Sequence, residues 1–349
     1  MVRSRIAVAL LALTEAASTR FSSGGVNLWT PSDTGAGRVT SIAAEACRPT
    51  TLYAMALDGP GPGGLYRSTD GGNTWNGLPE PGGGPCNNFS GGNVALAGCP
   101  ATALVATCDG HVYRTSDGSD SLTRSDEGLP VPDFTSVAID STNASLALAG
   151  LKTYGIYRSV NGGLSWSRVS LFQGVTQTIA DPSRSGTFYE LGTERGLFHF
   201  GDFPFCDRTT DSGQTWSYLE SISYCLSIAP LDSSVLYTCY GARSLDAGAT
   251  WHHFVIPGAT YIFTLAVSPV DSEIVLAATD VGLRRSNDGG TSWGEFNSGL
   301  ESETVTVLAF DPGGARIYAG TETGRIYQID VQPGVSPIAP ARPAPTSGR

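Results

Sequence analysis

The octapeptide Ser68-Thr69-Asp70-Gly71-Gly72-Asn73-Thr74-Trp75 returns as Ser159-Val160-Asn161-Gly162-Gly163-Leu164-Ser165-Trp166 and as Thr209-Thr210-Asp211-Ser212-Gly213-Gln214-Thr215-Trp216. It returns again as Ser244-Leu245-Asp246-Ala247-Gly248-Ala249-Thr250-Trp251 and as Ser286-Asn287-Asp288-Gly289-Gly290-Thr291-Ser292-Trp293. A worn copy runs from Thr115 through Asp117 to Leu122, with Leu where the others have Trp. Successive copies fall 35 to 50 residues apart, the length of one four-stranded propeller blade.

Each copy reads as a hairpin turn. An Asp or Asn side chain accepts hydrogen bonds from backbone N–H groups two or three residues on, and Gly supplies a backbone angle that other residues resist. The Trp then opens the next strand as a plug between neighbouring blades. Asp70, Trp75, Asp117, Asn161, Trp166, Asp211, Trp216, Asp246, Trp251, Asp288 and Trp293 are thus structural positions. An apolar strand precedes each turn, as at 64–67 and 155–158, and two more lie upstream around a Pro/Asp/Ser turn, as at 264–271 and 274–278. The unit is strands a, b and c, the box, then strand d.

Residues 305–330 supply strands a, b and c of a further unit, with no box and no Trp after them. Of the six Trp, five belong to boxes and the sixth, Trp29, sits near the N-terminus in Val26-Asn27-Leu28-Trp29-Thr30. It stands where an orphan strand d would. Pairing that N-terminal strand with the C-terminal three closes an all-β, seven-bladed propeller of four-stranded antiparallel blades and removes the exposed sheet edges.

The repeat resembles the Asp-box, or BNR, repeat family over residues 24–330. Members include sialidases, xyloglucan-active glycoside hydrolases, sortilin-type receptors and photosystem II assembly factors. The phrasing at 64–72, 180–183 and 318–321 is most similar to the hydrolase and assembly-factor branch. The resemblance implies that the boxes lie on one face, while the b–c and d–a loops form the face on which members bind ligands. Function on such a fold lives in the site rather than in the repeat.

On that loop face the acids Asp109, Glu194, Asp280, Glu301, Glu303 and Glu322 are expected, with Tyr154 as a further binding candidate. Glycoside hydrolysis needs two carboxylates, about 5–5.5 Å apart for retention or about 6.5–9.5 Å for inversion. Asp280, Glu322, Glu194 and Asp109 are the catalytic candidates on that reading; otherwise they form a solvated acidic rim. The xyloglucan enzymes place their cleft between two propellers, whereas a single propeller is read here. Arg67, Arg114, Arg158, Arg243 and Arg285 each precede the box Ser or Thr. One shared register makes them a feature of strand c rather than a sialidase-like carboxylate clamp. His111, His199, His252 and His253 form no metal or triad spacing, so neither a metal nor a cofactor is expected.

With 21 Lys and Arg against 32 Asp and Glu, the net charge is −11. That balance disfavours nucleic acid and anionic lipid as partners. The basic start, the apolar run 6–13 and small residues at 16–18 read as a signal peptide over 1–18, implying a secreted or periplasmic protein. The run is too short to span a bilayer. Residues 331–349, rich in Pro and Ala, read as a flexible tail. Seven Cys leave at least one thiol without an intramolecular mate; Cys225 and Cys239 lie opposite each other on strands a and b, either as a disulfide or as two thiols. An insertion at 199–208 carries Phe200, Phe203 and Phe205 and reads as a loop covering its own blade edge, with an exposed aromatic contact patch as the alternative.

The leading expectation is a non-catalytic module that binds a protein or glycan on the loop face. A glycoside hydrolase of xyloglucanase or sialidase type is the alternative, and a photosystem-type assembly factor the third.

Overall fold

A computed structural model describes residues 28–57, 59, 62–79, 92–98, 102–107, 110–115, 121–130, 134–171, 174–192, 204–220 and 225–331. Its strands form seven four-stranded antiparallel sheets. Blades 1 to 6 take residues 39–77, 93–124, 134–170, 175–220, 226–253 and 262–295 in chain order. Blade 7 combines 305–330 with the N-terminal strand Thr30–Asp33, which pairs antiparallel with Arg325–Asp330. The ring therefore closes as the orphan Trp requires. Strands a of adjacent blades lie beside one another around the axis, joined by side-chain bonds such as Asn93 Nδ2 to the Val137 carbonyl (2.8 Å).

The core is distributed between blades. Seven apolar clusters form among the described residues, each joining two neighbouring blades and each holding one plug. Trp75, Trp166, Trp216, Trp251 and Trp293 fill five of them, Leu122 the sixth and Trp29 the seventh. Trp29 packs edge-on to Phe296 and donates its indole N–H to the Phe296 carbonyl at 2.8 Å. Trp166 and Trp75 likewise reach back to the preceding blade, at Ser125 O (2.8 Å) and Ser32 Oγ (3.0 Å). These three Trp satisfy the polar atom while packing the ring between blades, the condition on which a buried indole is tolerated, whereas Trp251 Nε1 is buried without a partner.

The boxes share one network. In all five intact copies the leading Ser or Thr hydroxyl donates to the Asp or Asn Oδ1 at 2.8 Å. The same hydroxyl accepts the N–H of the second Gly at 2.7–2.9 Å. The Asp or Asn accepts the N–H of the residue four positions on at 2.8–3.0 Å. The position after the Asp or Asn has positive φ in every intact copy; Gly71, Gly162 and Gly289 supply it freely, whereas Ser212 and Ala247 hold it at 63° and 58°.

Those left-handed residues turn their carbonyls toward the preceding blade, and the repeated Arg answers them. Arg114 Nε donates to Gly162 O (2.8 Å), Arg208 Nη1 to Ala247 O (2.8 Å) and Arg158 Nη1 to Ser212 O (3.4 Å). In blade 7 strand c carries Gln328 at this register, and Arg316 of strand b reaches Gly71 O instead, at 3.1 Å. Arg285 faces a blade without a box and bonds Asn287 Oδ1 at 2.9 Å. The repeated Arg is an inter-blade strut on the box face.

Phe205 and Cys206 belong to strand c of blade 4 (Phe205–Thr209) and both are buried. Phe205 is thus no part of an exposed aromatic patch, because the repeat register claims it for the core; His199, Phe200 and Phe203 lie outside the described residues. Among the described residues Cys206 is a free, buried thiol and Cys225 is joined to Cys239. Cys47 is also disulfide-bonded. Asp117, the leader 1–18 and the tail after Val331 lie outside the described residues.

Candidate functional site

The a–b turns and boxes point to one end of the ring, and the b–c turns and d–a connections to the other. Asp280 sits in the b–c turn of blade 6, Glu301 and Glu303 in the connection from blade 6 to blade 7, and Glu322 in the b–c turn of blade 7. Asp280, Glu301 and Glu303 line one hollow of about 490 Å³, floored by Asn297 and Leu300. Glu322 is exposed beside it, its backbone N–H bonded to Thr304 O at 3.1 Å. Tyr154 is exposed in the b–c turn of blade 3, apart from this group. Glu194 and Asp109 lie outside the described residues.

Asp280, Glu301 and Glu303 are engaged. Asp280 Oδ1 accepts the N–H of Thr260 (2.9 Å) and of Tyr261 (3.2 Å), and its own N–H returns to Tyr261 O at 3.2 Å. The bond from Tyr261, with that from Thr260, holds the Asp280 carboxyl below the usual carboxylate range. Asp280 therefore stays ionised and pins the connection from blade 5 to blade 6. Glu301 and Glu303 converge on a single nitrogen, Arg325 Nη1, with Glu303 at 3.0 Å. The second oxygen of Glu303 accepts from Thr323 Oγ1 at 2.6 Å. Arg325 bonds Tyr327 and both carboxylates, which keeps its guanidinium protonated beyond the ordinary Arg range.

A second hollow of about 530 Å³ adjoins the first and shares Phe263 with it. Its walls are the Cys225–Cys239 disulfide, Tyr240, Val255, Ile256 and Tyr261. It exists because blade 5 is short: strands a, b and c there have three residues each, against five or six in blade 4. Where blade 4 continues its ladder through Leu191 and Gly192, blade 5 carries the disulfide and the exposed Tyr240. Tyr261, 65% exposed, and Val255, 80% exposed, stand over the space this leaves.

Phe263 has a specific origin. Strand a of most blades carries a bulge that leaves one residue out of register, at Thr40, Thr135, Thr176, Phe263 and Thr306 in blades 1, 3, 4, 6 and 7. Thr40, Thr176 and Thr306 use the hydroxyl to bond backbone carbonyls, such as Thr306 Oγ1 to Val39 O at 2.6 Å. Blade 6 replaces that hydroxyl with an aromatic ring that is 44% exposed at the junction of the two hollows. Sequence reasoning missed Phe263, although Val39-Thr40, Val175-Thr176 and Val305-Thr306 aligned with Ile262-Phe263 contain the signal.

It also missed a buried acidic pair. Glu190 faces Asp207 across strands b and c of blade 4, where blades 1, 2, 3 and 7 pair Ala or Val with Tyr. Both are fully buried; Thr178 Oγ1 donates to Glu190 Oε2 at 3.0 Å. Burial pushes the Glu190 carboxyl well above its usual range despite that bond. No group of three or more His, Cys, Asp or Glu converges as a metal site among the described residues, and no helix there is long and apolar enough to cross a membrane.

The fold is a seven-bladed β-propeller, similar to those of xyloglucanases and of YCF48. No family model matches the chain. A xyloglucanase of a Paenibacillus species is 27% identical over 274 residues, covering 75% of this chain and 22% of that protein. The glycoside hydrolase family 74 xyloglucanase of Xanthomonas campestris superposes with a TM-score of 0.69 at 16% identity, over 88% of this chain and 54% of that one. YCF48 bound to D1 peptide superposes with a TM-score of 0.65 at 16% identity, over 88% of this chain and 98% of that one. The chain thus spans about half the length of that solved xyloglucanase, and the likeness to the solved structures is one of fold.

Proposed function

We propose that this propeller is a non-catalytic binding module that takes a protein or glycan on the loop face of blades 5 to 7. One observation carries the reading: the loop-face acids Asp280, Glu301 and Glu303 are bound by backbone N–H groups and by Arg325, beside hollows from which Tyr240, Tyr261 and Phe263 project. A general acid for glycoside cleavage must hold a proton near neutral pH, and Asp280 is shifted the other way. Exposed aromatic side chains in a concave site are the ordinary means of gripping a ligand. Export to an oxidising compartment accords with the Cys225–Cys239 bond and with the sequence of the leader.

The similarity to a xyloglucanase favours a second reading, a glycoside hydrolase using Asp280 with Glu322. Incubating the purified protein with xyloglucan, other glucans and sialosides separates the two. Binding without release of reducing sugar, lost in Tyr261→Ala, supports the module. Turnover abolished by Asp280→Asn or Glu322→Gln overturns it.

A further inference from the structure

The two hollows differ in chemistry and meet at one residue. Among the described residues the blade 5 hollow is lined by no charged side chain; Val255, Ile256, Ala259 and the disulfide make its walls, and Thr260 and the tyrosines are its polar members. The neighbouring hollow has Asp280, Glu301 and Glu303 in its lining, and Arg325 offsets only part of their charge. Glu322 adds a further negative charge on the adjoining turn, and the whole chain stands at −11. Phe263 bridges the two, at a position where Thr40, Thr176 and Thr306 of other bulged strands turn their hydroxyls back onto the backbone.

An occupant of both hollows must present an apolar group and, next to it, a positive one. A neutral glycan answers this poorly. In the blade 5 hollow its hydroxyls meet only Thr260 and the tyrosines as side-chain partners, and it has no charge to set against the carboxylates. Nucleic acid and other polyanions meet the wrong sign. A polypeptide carries both groups on neighbouring side chains, and its desolvated Lys or Arg finds carboxylates already oriented.

We infer, building on the binding reading above, that the loop face of blades 5 to 7 recognises a cationic polypeptide segment, with an aromatic or aliphatic side chain seated beside Tyr261 and Phe263 and a Lys or Arg set against Glu301 and Glu303. Asp280 is a positioning residue: it holds Tyr261 in place through the backbone. Thr323 does the same for Glu303.

The test uses three fluorescein-labelled octapeptides, alternating Lys-Phe, Lys-Gly and Glu-Phe, and a xyloglucan oligosaccharide, titrated against the full chain by anisotropy or calorimetry. Lys-Phe is expected to bind at least tenfold more tightly than either other peptide, and to weaken at least tenfold between 50 and 500 mM salt, as screening of facing charges requires. Glu303→Gln and Phe263→Thr are each expected to weaken it at least fivefold. Glu295→Gln, which removes an exposed carboxylate on the outer strand of blade 6, leaves it unchanged. Circular dichroism and the unfolding midpoint confirm that each variant is folded. Equal binding of Lys-Phe and Lys-Gly, indifference to Glu303→Gln or Phe263→Thr, or no binding of Lys-Phe overturns the inference. Oligosaccharide binding lost in Tyr261→Ala, without Lys-Phe binding, overturns the cationic peptide but leaves the site standing. Binding of any probe untouched by Tyr261→Ala sinks the site as well.

Discussion

The two ends of the ring are built on opposite rules. On the box face, five intact copies repeat the same contacts among a hydroxyl, an Asp or Asn side chain and a glycine, and Arg struts tie one blade to the next. On the loop face the blades diverge: blade 5 is short, blade 6 exposes Phe263, and blade 7 brings Arg325 to two acids from the preceding connection. Repetition stabilises a ring because each contact is local and needs no agreement with distant residues. A binding site breaks the repeat, because seven identical rims give a ligand no reason to prefer one.

The comparison predicts that damage to the plugs and boxes lowers stability and spares binding, while damage to the hollows does the reverse. The largest effect falls at the closure. Trp29→Ala removes a buried ring and its hydrogen bond and is expected to cost ~3–5 kcal/mol in urea unfolding. A loss below ~1 kcal/mol means the N-terminal strand does not close the ring. The Cys225→Ser, Cys239→Ser double variant belongs to both faces. It should lower stability by roughly 2–3 kcal/mol, as for any short disulfide loop, and also weaken binding, since the disulfide walls the hollow.

Within one box, Ser244→Ala leaves the buried Gly248 N–H without its acceptor and is expected to cost ~1–2 kcal/mol with binding intact. Tyr261→Ala is its mirror image: an exposed side chain whose removal shifts stability by no more than ~0.5 kcal/mol, yet abolishes binding. Ser212→Gly runs the other way in sign. Relieving a left-handed Ser should outweigh the extra chain entropy of Gly and stabilise by roughly 0.5–1 kcal/mol, read as a raised unfolding midpoint.

Acid titration gives the smallest and most specific contrast. Bonds from Thr215 and from Thr250 lower Asp211 and Asp246 to about 2. A depressed carboxyl stabilises the fold above its unfolded value and loses that contribution as pH falls through the folded one. Stability should therefore decline between about pH 4 and pH 2, and Asp246→Asn should flatten that limb. Glu190 has the opposite sign. With its folded value raised, it favours the fold below the unfolded value and ceases to as pH rises through the folded one. Glu190→Gln should flatten the stability profile above about pH 4.5; an unchanged slope in thermal melts from pH 4 to 8 contradicts the burial of that carboxyl.

Much of the fold was legible in the chain. The box contacts connect residues at most four apart, so their period survives in one dimension. Counting plugs against blades exposed the missing strand and assigned it to Trp29, and the shared register of the Arg marked them as structural. The site was legible only in part. Asp280, Glu301 and Glu303 fall on the loop face as expected and line one hollow, but their partners Tyr261, Arg325 and Thr323 come from other turns. Nothing in the spacing of 280, 301 and 325 announces that these side chains meet. The one-residue bulge that turns Phe263 outward, the shortened ladder of blade 5 and the burial of Glu190 depend on how strands pair across blades. Local chemistry repeats and can be read along the chain; the depth of a hollow and the sharing of a charge are set by residues brought together from three blades.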